Sequence, residues 1–98
     1  MFDVGPSPIH GSGCFATAVI RSGALIGRFE VEPAAGDGPH VLWLDDEPLL
    51  VTNDLRYLNH AAEPNAEMDE LEVRALRRIE PGEEITVHYG PDWTSTSS

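Results

Sequence analysis

The sequence contains no lysine: its six basic residues are all Arg, set against 17 acids, for a formal net charge of −11. Between Arg28 and Arg56 stand seven acids and neither Lys nor Arg. Such a field repels nucleic acid and anionic membrane and attracts cationic partners by steering that weakens with salt. Direct nucleic-acid binding is therefore not expected. A basic protein or peptide fits the charge, although acidity alone serves solubility equally well. The single Cys, Cys14, excludes an internal disulfide framework and any Cys-rich zinc cluster. No apolar run approaches the roughly 20 residues of a membrane-spanning helix. The start, Met1-Phe2-Asp3, has neither a basic nor an apolar leader region, so the expected location is intracellular and cytoplasmic. A long helical period is also missing. A chain of 98 residues sustains one core, and the reading is a single domain over 1–98 with a flexible polar tip from about residue 94.

What is present is a series of short strand patterns separated by turn residues. Phe2 to Pro8 reads as a lead-in strand, and Gly11-Ser12-Gly13 as a turn. Cys14 to Ile20 and Ala24 to Val31 read as hairpin partners about Arg21-Ser22-Gly23. A second hairpin joins Val41-Leu42-Trp43-Leu44 to Leu49-Leu50-Val51 across an acidic turn. Trp43 is most simply a hairpin-face aromatic. One short helical turn is expected near Asn53-Asp54-Leu55. A third hairpin turns at Asp69-Glu70, with Leu71, Val73 and Ala75 on one face and Glu72 and Arg74 on the other. Periodicity alone gives an all-β protein of unknotted topology.

Two stretches are chemically unusual. Arg56-Tyr57-Leu58-Asn59-His60-Ala61-Ala62-Glu63-Pro64-Asn65 places amides and an imidazole in a polar turn at the edge of apolar sequence, where they need partners. Gly82-Glu83-Glu84-Ile85-Thr86-Val87-His88-Tyr89-Gly90 is a short strand that ends on a phenol where the chain must turn. With Ser7-Pro8-Ile9-His10-Gly11-Ser12-Gly13-Cys14-Phe15-Ala16-Thr17 near the start, they resemble, in order and over nearly the whole chain, the signatures of the SET domain. That is the fold of most protein lysine methyltransferases.

The resemblance implies a mainly β SET fold of small β-clip-like sheets with a C-terminal pseudoknot and little helix. It implies transfer of a methyl group from S-adenosylmethionine to the side-chain amine of lysine in a basic protein such as a histone-like, nucleoid or ribosomal protein. Tyr89 would be the catalytic residue. Gly11, Gly13, Cys14, Asn59 and His60 would hold the cofactor, and Phe29, Val87 and Tyr89 would line the substrate channel. Trp93, the one aromatic after Tyr89, would fold over cofactor or channel in place of the family's cysteine-rich segment. Arg56, Pro64 and Asn65 would shape the knot, and Glu84 would anchor it or pair with an Arg. The insert that grips the substrate in larger relatives is short here, which leaves room for a homodimer to complete the groove.

The chain departs from the family pattern at Phe29, where a Tyr is common, at Val87, where a Tyr or Phe is common, and at His88, where an Asp is common. These departures leave methyl number open. Phe29, Val87 and the shortened insert also favour the alternative, a non-catalytic SET-like acidic module that binds a basic partner. His10, His40, His60 and His88 show no i, i+2 or i, i+4 spacing, so no metal is expected. A Cys14–His60 nucleophile pair lacks a third, orienting group.

Overall fold

The computed structural model describes residues 1–38 and 40–88, and the backbone of Trp93–Thr94. The chain forms β1 (Phe2–Pro6), β2 (Ser12–Ala16), β3 (Leu25–Arg28), β4 (Val31–Pro33), β5 (Val41–Leu44), β6 (Glu47–Val51), a 3-10 turn (Asp54–Tyr57), β7 (Asn59–His60), β8 (Ala66–Asp69), β9 (Glu72–Ala75), β10 (Glu84–Val87) and β11 (Trp93–Thr94). They make three small sheets, ordered β1-β2-β10-β7, β11-β5-β6-β4 and β3-β9-β8. The mainly β expectation holds, and the one helical turn lies where the Asn53-Asp54-Leu55 stretch places it. Among the described residues no helix is long and apolar enough to cross a membrane. The expected threading of the C-terminal segment depends on residues 89–92, outside the described residues.

Local chemistry accounts for most of the hairpins. β5 and β6 meet with Leu44 opposite Glu47, so only Asp45 and Asp46 turn the chain, at φ 52 and 66. Two positive φ values in a two-residue loop match the right-handed twist of the strands, and Asp is among the residues that tolerate them. β8 and β9 close across Glu70 and Leu71, with Glu70 at φ 53, one position later than the Asp69-Glu70 turn expected. Val73 and Ala75 face inward as their alternation requires.

One expected hairpin does not form. β2 does not pair with β3: β2 lies between β1 and β10, while β3 runs antiparallel to β9. The turn at Arg21-Ser22-Gly23 is real, with Gly23 at φ 82 and Ala24 N–H bonded to Arg21 O. It separates two sheets, however, and does not close one. Ile20 bridges Ile79 on one side of it, and Ala24 bonds Ala75 on the other.

The three sheets share one core. Cys14, Ile20, Val51, Leu58, Val73, Ile79, Ile85 and Val87 are its fully buried large side chains. The expected flexible tip lies, beyond Thr94, outside the described residues, and the single domain and homodimer stand as expectations.

Candidate functional site

Strand β10 is the axis of the site. Its pleat directs Ile85 and Val87 into the core, both 0% exposed, and Glu84 and Thr86 to the opposite face. β2 pairs antiparallel on one side of it, with Ile85 opposite Cys14. β7 pairs parallel on the other, with Thr86 opposite Asn59 and Val87 opposite His60. The three stretches singled out from the sequence are thus adjacent strands.

Asn59 ties them together. Its amide nitrogen lies 2.8 Å from Glu84 Oε2, 3.0 Å from Ser12 O, 3.1 Å from Ser7 Oγ and 3.2 Å from His10 O. The amide has two hydrogens to share among these acceptors, and the residue is 5% exposed. Ser7 Oγ in turn donates to the Glu84 carboxylate at 2.8 Å and accepts Ile9 N–H. Glu84 therefore accepts from Ser7 and Asn59, and among the described residues it has no Arg partner; the Arg half of its expected role is corrected. Nothing local to Ser7 marks it for this role. Its signal would have been a hydroxyl beside a turn facing a lone strand carboxylate, which only the fold brings together.

Asn65 holds the same strand from outside. Its Nδ2 donates to Glu84 O and its Oδ1 accepts Thr86 N–H, both at 2.8 Å, and its own N–H reaches Thr86 Oγ1 at 3.3 Å. Residues i and i+2 of a strand present C=O and N–H on one side, so this side chain bonds β10 as a residue of a neighbouring strand would. The Arg56 guanidinium donates to Tyr57 Oη at 2.8 Å and to Thr52 O at 3.1 Å, a local clasp.

The remaining candidates fall into distinct environments. Gly11 is exposed at φ 45, and an added Cβ there would meet open space. A Cβ on Gly13 would overlap the Glu84 carboxylate, so Gly13 is required by the protein's own packing. Phe29 is 4% exposed in the core, with its N–H bonded to Leu71 O at 2.7 Å, and Val87 is core as well. Trp43 donates its indole N–H to Asp37, as a hairpin-face residue can. Tyr89 lies outside the described residues. So does the Trp93 side chain, while the Trp93 backbone pairs with Leu42 of β5.

Cys14 is 0% exposed, its Sγ lies 3.5 Å from Asp54 O, and its pKa is pushed up to about 12 by burial and then by the nearby Asp54 and Glu84 carboxylates. A thiol so held is not a nucleophile at neutral pH, which removes the Cys14–His60 pairing. The folded protein keeps the Cys14 proton that the unfolded chain releases near pH 9. The stability from this group is thus complete below pH 9 and is lost as pH rises through about 12. Unfolding free energies from urea titrations between pH 8 and 11 are expected to fall by up to ~1.4 kcal/mol per pH unit within that window. A Cys14→Ala protein, less stable at pH 8, should lose that part of the slope; an identical slope would show that other groups carry it.

Sequence spacing gave no reason to pair histidines, yet the parallel register of β7 and β10 does so. The His60 and His88 rings stand edge to face, with centroids 4.6 Å apart and planes at 67°, and both residues are exposed. A separate cleft of about 280 Å³ is lined by Arg28, Leu44, Asp69, Glu70, Leu71 and Glu72. Glu72 is paired to Arg74 at 3.0 Å and to Arg28 at 3.9 Å, whereas Asp69 and Glu70 have no ion-pair partner among the described residues.

A family model described as the SET domain matches residues 36–90. No curated protein matches the sequence. Among solved structures, the chain is similar to a Plasmodium falciparum protein assigned as a histone methyltransferase, with a TM-score of 0.80 and 22% identity over 95% of this chain and 100% of that one. It is also similar to a humanized mutant of the Chaetomium thermophilum Polycomb Repressive Complex 2 bound to an inhibitor. There the TM-score is 0.75 and the identity 22%, over 95% of this chain and 15% of that one. Likeness at this identity bears on the fold, and the fold is the one the three sequence motifs imply.

Proposed function

Because this chain belongs to the SET-domain family, we propose that it transfers a methyl group from S-adenosylmethionine to the side-chain amine of a lysine in a basic protein or peptide. The observation that carries the reading is the convergence on Asn59. One amide gathers the glycine turn, the Asn-His strand and the strand that leads to Tyr89. Generic β packing has no need to bring those three stretches to one point.

The residues present suit the cofactor's polar end. The His10 and Ser12 carbonyls are directed at Asn59. Across a trans peptide the following N–H points the opposite way, so with His10 O on Asn59 the Gly11 N–H is aimed away from Asn59. Gly11 and the exposed His60 would hold the cofactor from this side, while Asn59 and Gly13 fix the turn and Cys14 supports it from the core. When bound, S-adenosylmethionine supplies an electrophilic methyl whose bond to sulfur breaks as its bond to the amine nitrogen forms. Tyr89 would orient the neutral amine for this in-line approach, and Phe29 and Val87 would keep water from it. The amine's surplus proton leaves to solvent. Trp93 would cover the cofactor or the channel.

Incubation with labelled S-adenosylmethionine and a panel of basic proteins tests the reading. Label should appear on a basic partner and fall about tenfold or more in Tyr89→Phe. Automethylation at lysine cannot confuse the result, because the chain has none. Cofactor that does not bind at all would instead make the chain an acidic binding module.

The acidic cleft supports the basic class of substrate. Glu70→Arg reverses a charge that no ion pair uses. It is expected to raise KM for a basic peptide about two- to fivefold with kcat unchanged, a difference that shrinks as salt rises. A KM that does not move at low salt would place the peptide elsewhere.

A further inference from the structure

His60 and His88 come from different motifs, and the fold alone makes them neighbours. Two imidazoles that share a tetrahedral ion at a metal–nitrogen distance of about 2.1 Å have ring centroids about 5 Å apart. Here the centroids are 4.6 Å apart, on the ends of two hydrogen-bonded parallel strands. The backbone under each ring is fixed by that ladder and by Ala61 N–H on Val87 O, so little rearrangement separates the rings from a chelating pose. Each imidazole has two nitrogens, so one can keep a protein hydrogen bond while the other binds an ion. The net charge of −11 raises the local concentration of any cation.

We infer that His60 and His88 form a two-imidazole site for a divalent transition-metal ion of the zinc, copper or nickel class. Among the described residues no third His, Cys, Asp or Glu completes a cluster with them. Water would fill the remaining positions, and the ion is exchangeable rather than resident. The site has a consequence that rests on the function proposed above. His60 adjoins the cofactor and His88 precedes Tyr89, so the ion and S-adenosylmethionine exclude each other.

Calorimetric titration of the full chain with Zn²⁺ near pH 7 tests this. The parent should bind one equivalent, and His60→Gln and His88→Gln should each weaken binding by about tenfold or more, while His10→Gln binds as the parent does. The absence of saturable binding, or binding that His88→Gln leaves intact, overturns the metal site whatever the cofactor does. Titration of S-adenosylmethionine with and without saturating Zn²⁺ separates the second part. Equal cofactor affinity in both overturns the exclusion. Failure of the cofactor to bind even without Zn²⁺ sinks the proposed methyl transfer and leaves the metal site standing.

Discussion

Asn65→Ala is expected to cost about 3 kcal/mol of stability, although residue 65 lies in no regular element. The substitution removes the donor to Glu84 O and the acceptor of Thr86 N–H, both 2.8 Å bonds. Asn65 is 3% exposed and Thr86 7%, so water cannot readily replace either partner. Each buried polar group stranded in this way costs about 1–3 kcal/mol, whereas a hydrogen bond exchanged for water costs little. For a domain of this size that is a large part of a total of about 5–15 kcal/mol. It corresponds to a melting temperature lower by about 12–24 °C. Asn65→Asp should fare nearly as badly. Its second oxygen would face the Glu84 carbonyl, where the amide now donates. Thermal and urea unfolding of both variants measure this, and a loss below about 1 kcal/mol would show that the strand ladder holds β10 without the side chain.

Gly13→Ala is expected to destabilise by about 2–4 kcal/mol, and Glu84→Ala to relieve most of that. The added methyl group would stand 2.9 Å from the Glu84 carboxyl carbon, overlapping its oxygen, and 3.0 Å from Ser7 Cβ. The carboxylate can swing aside only by leaving Ser7 and Asn59. Gly13 has ordinary negative-φ backbone, so the cost is one of space and lost partners rather than of strain, of the size known for overpacked sites. Glu84→Ala alone should cost about 1–2 kcal/mol, since Asn59 keeps its other acceptors. The double variant should be better than the sum of the two by at least about 1 kcal/mol. Strict additivity would mean that Gly13 is needed for something other than room for the carboxylate.

These two sites show where the sequence was readable and where it was not. Strand identity and turn chemistry are local properties, so the β5–β6 and β8–β9 hairpins could be assigned from apolar alternation and acidic turn residues. Partnership is not local. Arg21-Ser22-Gly23 has the composition of a hairpin turn, but its flanks bond to Ile79 and Ala75; competition from β9 and β10 decides the pairing. The motifs identified the site's strands through resemblance to a family. They could not say that the Glu84 carboxylate faces Ser7 and Asn59 rather than an Arg, nor that parallel pairing would set His60 against His88. Cys14 is a further case, since a Cys beside a glycine turn has the same sequence context whether exposed or wholly buried.

The hub at Asn59 also has a kinetic meaning. Its partners lie at positions 7, 10, 12 and 84, and the Ser7–Glu84 contact spans 77 positions of the chain. A contact of that span forms only after the intervening loops have closed, and topologies dominated by such pairings fold slowly. Local hairpins such as β8–β9 can form early, while the glycine turn reaches β7 only when both ends of the chain have been gathered. Competence to bind a ligand at this turn should therefore appear in the last refolding phase, after most β structure has formed. During synthesis it has to wait for the segment that contains Glu84 to leave the ribosome.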